Sequence, residues 1–332
     1  MTRGQGILTG AAFWLSLGGV LLAFLWHISI GAKAIPIGTV WDAFTAFRDD
    51  EFDHMVVRNF RLPRALFSIT VGASLAVAGA LMQGVTRNPL ADPSILGLTS
   101  GATCAVIIGI GWFGLAGTAY VPFFAAIGAL AGAALVWGIA SIIPGGSTPL
   151  TLILAGVAVT AFLGTIQSAA ILLNQEVFSG FRVWLTGSMA MGDMDTYLWA
   201  LPWFGAGLIA ALLIARQVTA LAMGEEAATG LGVNPARIKI IALLSVTALS
   251  AAAVAIAGPL GLVRLVIPHV VRLFIGWDYR LIVPFCAVVG GGYMLVVDTV
   301  ARIVLAPAEI STGLITVVLG ALVFIWLVRA RL

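Results

Sequence analysis

The chain of 332 residues is 61% hydrophobic, and only 9% of its residues are charged. Soluble globular domains carry about 25% charged residues, so the composition excludes an ordinary water-soluble enzyme. The apolar residues suffice for about ten membrane-spanning helices of ~20 residues each. The composition therefore predicts an all-α protein, a polytopic transmembrane helical bundle.

The apolar runs, taken in chain order, predict ten membrane spans with approximate limits. The limits are 7–30, 63–85, 94–113, 119–143, 150–173, 196–215, 239–257, 260–276, 283–305 and 312–329. An even number of spans places both termini on one side, and a slight excess of Lys and Arg there predicts that this side is cytoplasmic. No soluble segment of domain size interrupts the runs, which predicts one transmembrane domain over residues 1–332.

Lysine occurs only at positions 33 and 239, and neither lysine follows a glycine. A phosphate-binding loop of the GxxxxGK[ST] type therefore cannot occur in this chain. If ATP powers the protein, another polypeptide must bind the ATP and its Mg²⁺, and no cofactor is expected on this chain. The cysteines and histidines are too scattered to predict a metal site, and no arrangement of residues predicts catalysis.

The most distinctive segment starts at Arg61-Leu-Pro-Arg64 and runs through Gly72 and Gly79 to the turn Thr86-Arg-Asn-Pro-Leu-Ala-Asp-Pro93. Further motifs follow in order, at Gly97-Leu98, Leu154-Ala-Gly156, Trp184, Gly187-Ser188, Gly224-Glu-Glu226, Leu231-Gly232, Gly258-Pro259, Ile267-Pro-His269, Asp298, Arg302 and Leu319-Gly320. Together these motifs resemble the FecCD family, the permeases of type II ABC importers for ferric siderophores, haem and cobalamin. The resemblance extends from about residue 61 to the C-terminus.

The resemblance implies a permease of the inner membrane that dimerises with a second copy or a paralogue and performs no covalent chemistry. Two copies of an ATP-binding subunit would bind its cytoplasmic face, and a periplasmic substrate-binding protein would deliver the cargo. Membrane lipid is the other expected partner, and nucleic acid is not. A ferric siderophore is the expected cargo, because segments 86–93 and 173–184 look most like siderophore permeases. Haem and then cobalamin are the alternatives.

The prolines of Asn88-Pro89-Leu90 and Asp92-Pro93 cannot lie inside a helix and predict a compact turn. The resemblance implies that this turn and a facing turn form a cytoplasmic gate, with Asn88, Leu90, Ser147 and Thr148 as its residues. The alternative interpretation is an ordinary turn between two helices.

Residues 216–238 form the most polar internal stretch. Glu225 and Glu226 among alanines predict a short amphipathic helix that glycines 230 and 232 end, and Asn234-Pro235 predicts the start of the next helix. The resemblance implies that this segment couples the permease to its ATPase. The residues concerned are Gly224, Glu225, Glu226, Ala227, Leu231 and Gly232. The alternative is a solvated loop.

Arg61, Arg64 and Arg302 fall near span ends on the predicted external side. The resemblance implies that they are sockets for glutamates of the substrate-binding protein, because a guanidinium binds a carboxylate bidentately. Arginines at such positions also reach lipid headgroups, which is the alternative. Asp298 lies four residues before Arg302, and this spacing predicts a local ion pair that competes with docking.

Arg264 departs from the family pattern, which usually has glycine at this position. An ionisable residue inside a span is normally paired or functional. One interpretation is a structural ion pair with Asp298, the only acid placed inside a span. The other is that Arg264 lines the substrate path and meets an anionic cargo.

Functions of other classes make different demands on the sequence. An ion-coupled secondary transporter would place ionisable residues deep in several spans, whereas only Arg264 and Asp298 are placed there. A membrane-embedded enzyme would need histidines or acids clustered on facing helices, and the sequence provides no such cluster.

Overall fold

The computed structural model describes residues 3–115, 120–143, 149–173 and 175–329, and within these ranges its regular elements are all helical. The α-helices are α1 (Arg3–Ser29), α2 (Ile37–Thr45), α3 (Phe52–Val56), α4 (Leu62–Thr86), α5 (Leu98–Phe113), α6 (Val121–Ile142), α7 (Pro149–Leu173), α8 (Gln175–Leu185), α9 (Met194–Ala222), α10 (Glu225–Gly230), α11 (Pro235–Ala257), α12 (Val263–Ile275), α13 (Tyr279–Ile303) and α14 (Thr312–Arg329). A π-helical turn joins α3 to α4, and short 3₁₀ turns lie at Pro93–Leu96 and Met189–Met191.

Nine of the ten predicted spans coincide with a helix, and the all-helical membrane bundle is confirmed. In the described ranges, 7 helices are long and apolar enough to cross a membrane. Helices α5 and α14 are apolar but shorter. The remaining predicted span, 260–276, is not one helix: α12 has 13 residues and is about 20 Å long, less than a hydrocarbon core of about 30 Å.

The chain before α12 explains how this passage is completed. Helix α11 ends at Ala257, and residues 258–262 are not helical. Leu260 and Val263 are both buried, so this irregular backbone is enclosed by protein. Non-helical backbone at membrane depth is tolerated where protein surrounds it. The passage therefore consists of an irregular, non-helical stretch followed by a half-length helix.

Helix α4 is the centre of the bundle, where it packs against α9, α11, α12 and α13. Two of its glycines permit close backbone approach. A Cβ atom on Gly72 would lie 2.2 Å from the carbonyl oxygen of Gly290 in α13, and one on Gly79 would lie 1.9 Å from that of Arg264 in α12. Small residues at such crossings allow membrane helices to pack tightly.

Other helices leave most of their apolar surface uncovered. Only 28% of the most apolar stretch of α7 is buried, and α9 has the same buried share. Exposed side chains on α7 include Leu154 and Phe162, and on α9 they include Leu213. Such surfaces require an apolar environment, so this chain is an integral membrane protein.

Candidate functional site

Two ends of the bundle carry its polar groups. We call the end that contains residues 87–92, 223–234 and 276–278 the turn face. The end that contains residues 30–36 and 304–311 is called the Arg64 face. Helix α4 runs from Arg64 at one end to Thr86 at the other, and thus connects them.

The turn face includes the predicted gate turn. Helix α4 ends at Thr86, and the following residue, Arg87, has a left-handed φ of 52°. The Asn88 Oδ1 atom accepts a hydrogen bond from the Leu90 amide at 2.9 Å, and the Asp92 Oδ1 atom accepts one from the Ser94 amide at 2.6 Å. These side-chain bonds hold a compact turn, as predicted, and leave the Leu90 side chain exposed. Ser147 and Thr148 lie outside the described residues, so the gate remains a prediction.

Arg264 is buried next to this turn. Its Nε atom lies 3.4 Å from the Asp92 Oδ2 atom, and its carbonyl oxygen accepts a hydrogen bond from the Gln83 Nε2 atom at 3.3 Å. The predicted Arg264–Asp298 ion pair is therefore wrong. Arg264, at the start of α12, packs against Gly79 of α4. Measured along α4, Gly79 is about 22 Å from Arg64, which binds Asp298 at the other end of the bundle. Contact between Arg264 and cargo remains a prediction.

The predicted short helix of the coupling segment is confirmed as α10, Glu225–Gly230. Gly224 precedes it with a φ of 127°, a conformation that favours glycine. Ala228 is buried, whereas Glu226, Ala227 and Leu231 are exposed. The helix therefore presents one acidic and apolar surface outward, while its contact with an ATPase remains a prediction.

Glu225 ties α10 to the bundle. The Lys239 Nζ atom donates a hydrogen bond to Glu225 Oε1 at 2.8 Å, and the Arg87 Nη2 atom lies 3.6 Å from the same oxygen. The hydrogen bond from Lys239, assisted by the charges of Lys239 and Arg87, holds the pKa of Glu225 below its usual range. One carboxylate thus connects α10 to α11 and to the gate turn.

This pairing predicts a pH dependence confined to α10. Because the folded-state pKa of Glu225 is lowered, its stabilisation is complete above the ordinary glutamate pKa of about 4.3 and is lost as pH falls through the lowered value. The pair is partly exposed, so we expect only about a twofold increase in pepsin cleavage within 223–234 as the pH is lowered from 5 to 2, when cleavage at each pH is normalised to that of a free peptide of the same sequence. Glu225→Gln should remove this dependence, whereas Glu226→Gln should retain it. Equal pH dependence in Glu225→Gln would contradict the assignment.

At the Arg64 face, Asp298 is fully buried and is the centre of an ion-pair network. It accepts hydrogen bonds from the Arg64 Nε and Nη2 atoms at 2.8 and 3.0 Å and from Thr312 Oγ1 at 2.8 Å. The His27 Nε2 atom lies 3.0 Å from Asp298 Oδ2, and the Arg302 Nε atom lies 3.6 Å from it. The predicted Asp298–Arg302 pair is confirmed, within a network that joins α1, α4, α13 and α14.

The other arginines of this face also have internal partners. Arg61 donates through Nη1 to the carbonyl oxygens of Ile28 and Ser29 at 2.7 and 2.8 Å, and through Nη2 to that of Lys33. Arg64 also binds Glu309, whose side chain is 41% exposed, at 2.8 Å. Docking by Arg61, Arg64 and Arg302 remains a prediction, and it would require these guanidinium groups to share or exchange partners.

Sequence reasoning missed the roles of His27, Thr312 and Glu309 in this network. His27 lies inside the first predicted span. An ionisable residue in a span normally has a buried partner, so the position of His27 could have indicated that it belongs to a buried network. Thr312 and Glu309 carried no comparable signal, because hydroxyls and acids are ordinary at span ends.

Sequence reasoning also missed a groove between α5 and α7, which is largely apolar but carries several neutral polar side chains. Its lining includes hydroxyl and amide side chains, namely Ser94, Thr99, Ser100, Thr103, Thr160 and Gln167. The Ser100 and Thr160 hydroxyl oxygens lie 2.9 Å apart, and the Gln167 Nε2 atom donates to the Ser100 carbonyl oxygen at 3.0 Å. The side chains that line this groove are uncharged and can exchange hydrogen bonds with a passing polar molecule.

The sequence model of the FecCD transport family matches residues 19–330. The iron(3+)-hydroxamate import system permease protein FhuB of Bacillus subtilis is 41% identical over 324 residues, covering 96% of this chain and 84% of FhuB. The hemin transport system permease protein HmuU of Yersinia pestis is 37% identical over 314 residues, covering 93% of this chain and 92% of HmuU. One solved structure is similar to this chain, with a TM-score of 0.85 and 28% sequence identity. It is described as an inward-facing conformation of a chain assigned to a metal-chelate type ABC transporter. The match covers 97% of this chain and 99% of that chain. Because the family match extends over nearly the whole sequence, this chain belongs to the FecCD transport family.

Proposed function

We propose that the chain is the permease subunit of an ABC importer that moves a ferric siderophore from periplasm to cytoplasm. The observation that carries this proposal is the family match over residues 19–330, supported by the iron-hydroxamate permease at 41% identity. Haem is the alternative cargo, because the hemin permease is 37% identical, and cobalamin is a further one. The whole chain, 1–332, would act as one permease domain in the inner membrane with both termini cytoplasmic.

The partners follow from the same proposal. Two ATP-binding subunits would bind the turn face and hydrolyse ATP with Mg²⁺, since the lysine positions of this chain rule out a P-loop. The exposed α10 supports this arrangement, because Glu226, Ala227 and Leu231 face outward and its other side is tied to the bundle. A force on α10 would be transmitted through Glu225 to α11 and the gate turn.

The substrate path would run between two permease copies, identical or paralogous. The largely uncovered α7 and the hydroxyl-lined groove beside it support this placement. Its wall is largely apolar and carries neutral hydroxyl and amide groups, which offer hydrogen bonds to a bulky chelate without trapping a charge. Arg264 would act near the inner end of this path, where an anionic cargo approaches the gate turn.

A periplasmic substrate-binding protein would dock on the Arg64 face. Two arginines and one histidine contact two acids there, and Arg61 beside them donates to backbone carbonyl oxygens, so the cluster has more arginines than acids. A carboxylate from the binding protein could then share Arg64 in place of Glu309, whose side chain is the exposed member of the cluster.

Reconstitution tests the proposed function. The permease is purified with its co-isolated subunits and placed in vesicles with its binding protein and a radiolabelled ferric hydroxamate. We expect uptake that requires ATP and binding protein, and ATPase activity that rises when the loaded binding protein is added. Uptake driven by an ion gradient without nucleotide would overturn the proposal. Parallel binding assays with ferric siderophores, haem and cobalamin would identify the cargo.

A further inference from the structure

A second groove opens at the turn face, between the end of α9 and the starts of α11 and α13. Its lining includes Arg216 and Gln217 of α9, Asn234 and Arg237 at the start of α11, and Arg280 of α13. We call it the arginine groove. None of the described residues that line it is acidic.

Much of the positive charge in the arginine groove is uncompensated. The Arg280 Nη2 atom lies 2.7 Å from Asp278 Oδ2, so this guanidinium is neutralised by its neighbour. Arg216 and Arg237 are both exposed, and neither takes part in an ion pair within the described part of the chain. Two free guanidinium groups from different helices therefore border one groove, an arrangement that favours an anion.

An exposed apolar stripe leads to each of these arginines. On α9 the stripe consists of Ile209, Leu212 and Leu213, which precede Arg216 by seven, four and three residues. On α11 it consists of Ile240 and Leu244, which follow Arg237 by three and seven residues. These spacings place each arginine and its stripe on one face of a helix. Both helices are long and apolar enough to cross the membrane, so the stripes lie at the depth of lipid chains.

We propose that the arginine groove binds the phosphate headgroup of an anionic phospholipid, whose acyl chains lie along the stripes of α9 and α11. Guanidinium groups bind phosphate bidentately. A soluble phosphate would use the arginines but gain nothing from the exposed leucines. The lipid would bridge the helices on either side of α10. This inference requires only that the chain lies in a membrane, so it is independent of the transported cargo.

Native mass spectrometry of the purified protein tests the proposal. The protein is exchanged into mixed micelles that contain phosphatidylglycerol or phosphatidylcholine, and retained lipids are counted. We expect selective retention of phosphatidylglycerol that excess inorganic phosphate does not displace. Each of Arg216→Gln and Arg237→Gln should lower retention about fivefold, since one basic residue near an anionic lipid contributes about a factor of this size. Both side chains are exposed, so the variants should fold normally.

Controls distinguish this site from general charge effects. Arg329→Gln removes an exposed arginine from the end of α14, outside the groove, and should retain phosphatidylglycerol like the wild type. Arg237→Lys should keep most of the retention, because it keeps the charge. Equal retention of both lipids, or unchanged retention in the two glutamine variants, would overturn the proposal. The proposal would also be overturned if the lipid bound only after co-isolated protein partners had been removed, because a protein would then be the normal occupant of the groove.

Discussion

Replacing Asp298 with alanine is expected to lower the free energy of unfolding by about 3–5 kcal/mol, because the change leaves buried arginines without their counter-charge. Asp298 is 0% exposed and lies within 4 Å of basic groups from α1, α4 and α13. Arg302 is itself buried and would keep its hydrogen bond to the His27 carbonyl oxygen, at 2.8 Å, but lose its counter-charge. The loss should appear as a lower thermal midpoint of the purified protein in detergent.

Two further variants separate charge from packing at this position. Asp298→Asn keeps the shape and some hydrogen bonds, so its destabilisation should be intermediate. Asp195→Ala removes an exposed acid from the start of α9 and should change the free energy of unfolding by less than about 0.5 kcal/mol. A thermal midpoint of Asp298→Ala equal to that of the wild type would show that the network contributes nothing to the fold.

The second large effect is expected from Gly79→Ala, at the crossing of α4 and α12. The added methyl group would lie 1.9 Å from the Arg264 carbonyl oxygen, a backbone atom that cannot move without displacing α12. Overpacking of this kind typically destabilises by about 1–3 kcal/mol. Because α12 also positions Arg264 beside Asp92, we expect uptake to fall together with stability. Thermal unfolding and vesicle uptake would be measured on the same preparations.

Gly205→Ala provides the matched control for this change. Gly205 lies inside α9, and a Cβ atom there would meet nothing within 4 Å. Alanine is favoured over glycine in a helix interior, so this variant should be stabilised by about 0.5–1 kcal/mol. If both alanine variants shifted stability in the same direction, the close crossing at Gly79 would not be the cause.

The two expected effects arise at opposite ends of α4, which suggests how the molecule works. At the Arg64 end, Asp298 joins four helices into a rigid unit through ionic contacts. At the turn face, contacts through Gly79, Arg264 and Asp92 join a half-length helix to the gate turn. A motion imposed on α10 would reach this end of the bundle through the hydrogen bond between Glu225 and Lys239.

The sequence by itself determined the membrane bundle, the limits of most spans, the short helix at Glu225 and the turn at Asn88. These features depend on local properties, namely the length of an apolar run, the exclusion of proline from helix interiors and the break at glycine. The family motifs along the chain determined the class of transporter for the same reason, since they can be recognised without knowing which helices touch.

Apart from the Asp298–Arg302 pair, which its four-residue spacing predicted, only the tertiary structure decided which ionisable groups meet. Residues 258–262 are not helical, and Gly258 and Leu262 have left-handed φ values, so the depth of Arg264 does not follow from a helical rise per residue. At that depth Arg264 lies beside Asp92, and Asp298 instead pairs with His27, Arg64 and Arg302. The hydroxyl groove and the arginine groove likewise arise where separate helices pack side by side. Such contacts join residues distant in the chain, and no local pattern records them.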